Sequence, residues 1–206
     1  MKKNLIYLIV AGCIVYLSAD YLITYQETNK ANIQANEKLL QEYEFSAQQG
    51  DTESQLHLAN MYIKGSALGI KKDSAKAFRW FEEAAKNGNE KAQYNLAFLY
   101  AQGDGIEQNN EKAFIWCEKS AIQGYAKAQH GLAIMYQNAI GTKVDKKKSY
   151  EWCKKAALQG NSEAQYNLSI MYLKGTGVEQ NENEAFKWCK KAANQGNSNA
   201  LTAMGR

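Results

Sequence analysis

Proline is absent from this chain, and histidine occurs only twice, as His57 and His130. A β-sandwich or barrel draws on turn prolines and β-branched runs, so the absence of proline disfavours both. No His-x-x-x-His, Cys-x-x-Cys or acidic cluster accompanies the histidines, so no metal site is expected. Charge of one sign is also scarce: the net charge is +4, and Lys2 and Lys3 supply two of it. The remaining Lys and Glu are interspersed, as on a solvated helical surface, which argues against nucleic acid as a partner. The short turns Gly103-Asp104-Gly105 and Gly175-Thr176-Gly177 lack the strand–helix context of a phosphate loop. No Ser-His-Asp grouping is indicated either. The chain is therefore expected to be no enzyme and to carry no cofactor.

What is abundant is Ala, Gln, Asn, Lys and Tyr, with 45% hydrophobic residues, enough for a buried helical core. The N-terminus stands apart. Lys2 and Lys3 precede an apolar run from Leu5 to Leu17, and apolar character resumes after Asp20 to about Tyr25. Three readings are open. A cleaved signal has this charged start, but the large Leu17 in Leu17-Ser18-Ala19 suits a peptidase poorly. Val10-Ala11-Gly12-Cys13 is similar to a lipoprotein signal, although Cys13 comes early and apolar residues follow it. A signal-anchor suits residues 5–25, close to the roughly 20 residues of a transmembrane helix. Paired lysines before the span and Asp20 and Glu27 after it put the bulk outside, on the periplasmic side of a bacterial inner membrane. Domain 1–25 is read as signal-anchor or signal peptide, and 26–50 as linker and partial repeat helix.

Beyond that, the sequence repeats. Trp80, Trp116, Trp152 and Trp188 are separated by 36 residues each time, as are Gly88, Gly124, Gly160 and Gly196. The units are 51–88, 89–124, 125–160 and 161–196. The first is longer by two residues, around Ser66 to Gly69, and 197–206 is a clipped stub. Each unit reads as two helices. In the second, Asn89 caps a helix carrying Ala92, Leu96, Leu99 and Tyr100, and Gly103 and Gly105 break it. Asn110 caps the next, in which Ala113, Trp116, Cys117, Ser120 and Ala121 form an apolar stripe ended by Gly124. One pair cannot bury both its faces, so the pairs must stack into an all-α solenoid. The four tryptophans are its expected structural core. In the third unit Ala139 and Ser149 replace a turn glycine and an alanine, and the loop Gln137 to Val144 is expected to be reshaped.

The pattern A-x-x-x-L-A-x-x-Y-x-x-G-x-G, followed by A-x-x-W-x-x-x-[SA]-A-x-x-G, resembles the Sel-one-like repeat, a relative of the tetratricopeptide repeat. The resemblance implies a scaffold that binds protein. Exported members of the family include immunity proteins that neutralise periplasm-acting antibacterial effectors, and that is the expected role. A cysteine-rich exported branch, linked to β-lactam binding, is the alternative. Its repeats carry two cysteines each in a bonded helix pair, whereas only Cys117, Cys153 and Cys189 recur here. Equivalent positions in stacked pairs lie roughly 10 Å apart, too far for disulfides. By analogy with the tetratricopeptide pattern, a concave groove would be lined from the first helices. Its residues would be Leu56 and Asn60; Tyr94, Phe98 and Gln102; His130 and Ile134; and Tyr166, Ile170 and Lys174. These aromatic and aliphatic groups with polar neighbours are the candidate partner-binding residues.

Overall fold

The computed structural model describes residues 5–10, 13–65 and 70–205, with side-chain surroundings from residue 23 onward except residue 29. Lys2, Lys3, Ala11, Gly12 and the Ser66–Gly69 insertion lie outside the described residues. The chain begins with strands β1 (Leu5–Val10) and β2 (Cys13–Ser18), paired antiparallel with Leu5 opposite Ser18. Helix α1 (Ala19–Gln48) follows. This corrects the helix expected to cross a membrane over 5–25. The run is rich in β-branched and aromatic residues (Ile6, Tyr7, Ile9, Val10, Ile14, Val15, Tyr16), which suit a strand ladder as well as a helix. Among the described residues, no helix is long and apolar enough to cross a membrane. Residues 26–38, read as linker, belong to the same continuous helix as the repeat-like segment after Leu39.

From there the chain is helical pairs. They are α2 (Thr52–Lys64) with α3 (Ser74–Lys86), α4 (Glu90–Gln102) with α5 (Asn110–Ile122), α6 (Ala126–Asn138) with α7 (Lys146–Leu158), and α8 (Ser162–Lys174) with α9 (Glu182–Asn194). Each of these eight helices has 13 residues. A short α10 (Ser198–Ala203) closes the described chain. Side-chain caps start seven of the eight; α6 begins after Tyr125 without one. Asn89 accepts from the Ala92 amide at 2.9 Å, and Asn161 repeats this on Ala164 at 2.8 Å. The second helix of the second unit is capped by Asn109, one residue earlier than read, because Asn109 is extended and its side chain accepts from Lys112 N–H. Gly124, at φ 102°, closes the same helix, with Tyr125 N–H returning to the Ser120 carbonyl.

Each second helix packs between its own first helix and the first helix of the next unit. The fully buried residues are mostly small or aliphatic, among them Leu58, Leu96, Leu132 and Leu168 with Ala84, Ala121, Ala156 and Ala192, and the Phe81 ring is buried with them. Burying one leucine contributes about 1.5–3 kcal/mol, and the alanines let the helix backbones approach. Of the tryptophans, only Trp188 is buried; Trp80, Trp116 and Trp152 are half-buried and lie against the outside of the core. Lys119, Lys155 and Lys191 stand over the Trp116, Trp152 and Trp188 rings at 4.1, 3.9 and 4.3 Å. In the first three units the position after the tryptophan is the deeper one, held by Phe81, Cys117 and Cys153; in the fourth, Trp188 is buried and Cys189 half-buried.

Two polar devices join the units. The first is a ladder of buried glutamines. Gln55, Gln93, Gln129 and Gln165 each donate to a carbonyl near the end of the preceding helix: Ala47, Ala85, Ala121 and Ala157. Gln123, Gln159 and Gln195 then donate to the Gln93, Gln129 and Gln165 side-chain oxygens. Each buried amide is thereby satisfied, as burial requires. The second is the inter-helix turn. A Cβ on Gly105 would come within 2.5 Å of the Ser74 backbone, and one on Gly141 would strike the Asn110 carbonyl and Phe114. Only glycine lets these turns sit on the preceding unit. The Gln137–Val144 loop is not reshaped. Ala139, at φ 59°, takes the left-handed conformation of Gly103 and Gly175 and donates to Met135 as they do to Leu99 and Met171.

Candidate partner-binding face

The first helices of the units present clefts at their junctions. One, of about 550 Å³, runs from the first unit to the third and is lined by Leu56, Asn60, Ile63, Lys64, Phe98 and Lys91, among others. A second, of about 320 Å³, lies between the third and fourth units, lined by Ile134, Gln137, Asn138, Asn167, Ile170 and Lys174. A third, of about 420 Å³, follows it with Tyr166, Ile170, Leu173 and Phe186 on its walls. The ten candidates thus divide. Leu56, Asn60 and Phe98 share one cleft, Ile134, Ile170 and Lys174 another, and Tyr166 joins Ile170 in the third.

Exposure divides them again. Phe98 is 56% exposed, an aromatic ring held to solvent on a rigid helix. Gln102 and Lys174 are exposed, while Ile134 and Ile170 are half-buried. Leu56 is buried, and Asn60 bonds the Leu56 carbonyl at 2.8 Å. Tyr94 turns into the stack, its ring edge-on to Tyr125 at 5.5 Å. Burial raises the Tyr94 hydroxyl pKa. His130 does the same at the next junction, its Nε2 2.7 Å from the Asn167 amide nitrogen. Burial lowers the His130 pKa against an opposing pull from Glu163, so the neutral ring accepts that amide. Tyr166 packs on the small cluster of Ala192, Ala193 and Ala200.

Sequence reasoning placed Lys64 in the groove but missed Lys72, Lys91 and Lys127 of the first cleft. Lys91 and Lys127 hold equivalent places in successive units, 36 residues apart, with Lys64 and Lys72 beside them. Charge recurring at the repeat period was the signal. It also missed Asn167, which meets His130 and lines the second cleft.

The cysteines are quiet. Cys117, Cys153 and Cys189 are free, and each thiol points at a carbonyl of the following first helix or of α10, Ala128, Ala164 and Ala200. Burial pushes the Cys117 and Cys153 pKa values up to about 12, so neither is a thiolate near neutral pH. Among the described residues, no group of His, Cys, Asp or Glu is arranged to hold a metal.

Stacked antiparallel helix pairs with clefts along one face define an α-solenoid scaffold. Residues 52–89, 90–125, 126–161 and 162–197 match the Sel1 repeat, one residue out of step with the units read above, and the chain belongs to that family. It is similar to c5321, a protective antigen of uropathogenic Escherichia coli strains displaying an SLR fold. The identity is 36% and the TM-score 0.77, over 81% of this chain and 35% of that one. It is 34% identical over 92 residues to a chitin synthase regulator of Saccharomyces cerevisiae, which covers 44% of this chain and 13% of the regulator. The chain therefore spans only a minor part of either protein's length. An immunity protein from Pseudomonas aeruginosa is 22% identical with a TM-score of 0.53, over 80% of this chain and 60% of its own, a likeness of fold alone.

Proposed function

We propose that this chain is a protein-binding scaffold of the bacterial envelope that sequesters an antibacterial effector, gripping it with the first-helix face. One observation carries the binding face: the clefts are built from equivalent positions of successive units and keep apolar groups (Phe98, Ile134, Ile170, Leu173) at their openings. A folded domain gains nothing from holding Phe98 in water, and exposed aromatic anchors on rigid elements are what interfaces use. The immunity role rests on family resemblance and on the shared fold of the Pseudomonas protein. The envelope location rests on Lys2, Lys3 and the apolar run behind them.

The test is capture of the native partner by full-length protein. Phe98→Ala with Ile170→Ala is expected to lose the partner while helical circular dichroism is kept, since anchors of this kind contribute about 2 kcal/mol or more each. Lys154→Glu, on an exposed second-helix position, is expected to keep it. Loss with Lys154→Glu and retention by the double variant would place recognition on the second-helix face. Phosphatase fused after Arg206 should be active, because its disulfides form only outside the cytoplasm. An inactive fusion beside an active cytoplasmic reporter removes the envelope role.

A further inference from the structure

The cleft that runs from the first unit to the third has a chemistry of its own. Four lysines surround it: Lys64 in the last turn of α2, Lys72 in the loop that follows, Lys91 in the first turn of α4 and Lys127 in the first turn of α6. A single acidic group, Asp104, faces them, and it is taken by Lys72 at 3.4 Å. Lys64, Lys91 and Lys127 form no ion pair among the described residues, and all three are exposed. The cleft on the opposite face of the first unit is balanced instead, with Glu44, Glu82 and Glu83 set against Lys76 and Arg79. Phe98 and Ile63 supply an apolar wall beneath the ammonium groups, and Asn95 a neutral polar one.

We propose that this cleft binds an acidic polypeptide segment carrying an apolar anchor, presented by the partner protein. Charge complementarity selects the acidic chain, because unpaired ammonium groups converging on a cleft raise the local concentration of carboxylates. Phe98 offers an apolar side chain of that segment a surface between the ammonium groups. Lys91 and Lys127 hold the same first-turn position in successive units, so carboxylates repeated along the segment meet a repeated ammonium group. The proposal rests on the first-helix face being the binding face, and it adds which partner chemistry that face selects.

The experiment titrates the full-length chain with a fluorescent 12-residue peptide holding Glu at every third position around a central Leu. A Gln-for-Glu counterpart, phosphatidylglycerol vesicles and a single-stranded oligonucleotide serve as competitors. The acidic peptide is expected to bind at least tenfold tighter than its Gln counterpart and to weaken as salt rises. Lys91→Glu with Lys127→Glu should cost at least another tenfold at unchanged circular dichroism, while Lys154→Glu with Lys155→Glu costs nothing. Equal binding of the Gln peptide, an unaffected double variant, or preference for vesicles or oligonucleotide each overturns the proposal. The two readings separate in native-partner capture. If Phe98→Ala with Ile170→Ala loses the partner but Lys91→Glu with Lys127→Glu keeps it, the face stands and the acidic segment falls. If both variants keep it, the face itself is wrong.

Discussion

A tryptophan at every thirty-sixth residue reads as the keystone of each unit, yet the deepest side chains are smaller. Leu132 is fully buried and Trp116 half-buried, with one face of its ring under the Lys119 ammonium. The Trp116 indole packs against the outside of the core, whereas Trp188 at the equivalent place of the fourth unit is buried. Truncating a wholly buried large side chain costs about 2–5 kcal/mol, and a half-exposed ring loses correspondingly less. Trp116→Ala should therefore cost about 2 kcal/mol, a melting shift of about 4–8 °C for a domain of this size. Leu132→Ala should cost more. Thermal melts of both variants check this; if Trp116→Ala is the more damaging, the ring is a core group after all.

At the scale of the element, the turns between helices carry the tightest constraints. Ala139 adopts a left-handed backbone that costs a residue with a Cβ roughly 1 kcal/mol. Gly141, two residues on, is at φ 67° with its Cα against the Asn110 carbonyl of the preceding unit. The two positions thus respond oppositely. Ala139→Gly should raise the melting temperature slightly or leave it unchanged, since relief of strain is offset in part by a floppier unfolded chain. Gly141→Ala should lower it steeply, because the added Cβ meets backbone that cannot move without separating two units. Paired melts decide it, and a harmless Gly141→Ala would mean the turn does not bear on its neighbour. The exchange of Gly103's counterpart for Ala139 was visible in the sequence, but its outcome was not. The turn keeps its shape because its amides still return to the Met135 and Tyr136 carbonyls, as in the other units.

Across the whole molecule, stability is close to a sum over junctions, each built from the same parts. Edge-on aromatic pairs recur between successive units as Phe78 with Tyr100, Phe114 with Tyr136 and Tyr150 with Tyr172. The glutamine ladder runs alongside them. The junction of the third and fourth units differs by holding His130 against Asn167. Burial lowers the His130 pKa from 6.5, so below that value the unfolded chain takes up protons that the folded one resists. This contribution to stability is complete above 6.5 and is lost as pH falls towards the lowered value; Glu163 is the charged neighbour that moderates it. Melting curves at about pH 7.5 and about pH 5.5 should show a larger acid loss for wild type than for His130→Gln. Equal losses would remove His130 from the account.

The repeat period, the Asn89 cap and the solenoid class were legible in the sequence, because each depends on residues a few positions apart or on exact recurrence, whereas the second-helix cap was read one residue late, at Asn110 instead of Asn109. Asn89, Gly124 and the alanine pairs announce helix ends and close approaches without reference to any neighbour. Other features were decided only by stacking. Tyr94 and Phe98 lie four residues apart on one helix, yet one ring turns into the next unit while the other stays in water. The difference is set by what the following unit places opposite: Tyr125 against the first, a cleft around the second. Lys91 and Lys127 likewise read as ordinary surface charge until the first helices converge and draw them around one cleft with Lys64. At the N-terminus, an apolar run of β-branched residues serves helix or strand equally by its own preferences, and pairing between Leu5–Val10 and Cys13–Ser18 selects the strand. Local patterns specify which way a backbone folds; which half-exposed side chains meet depends on how the units are set against each other in space.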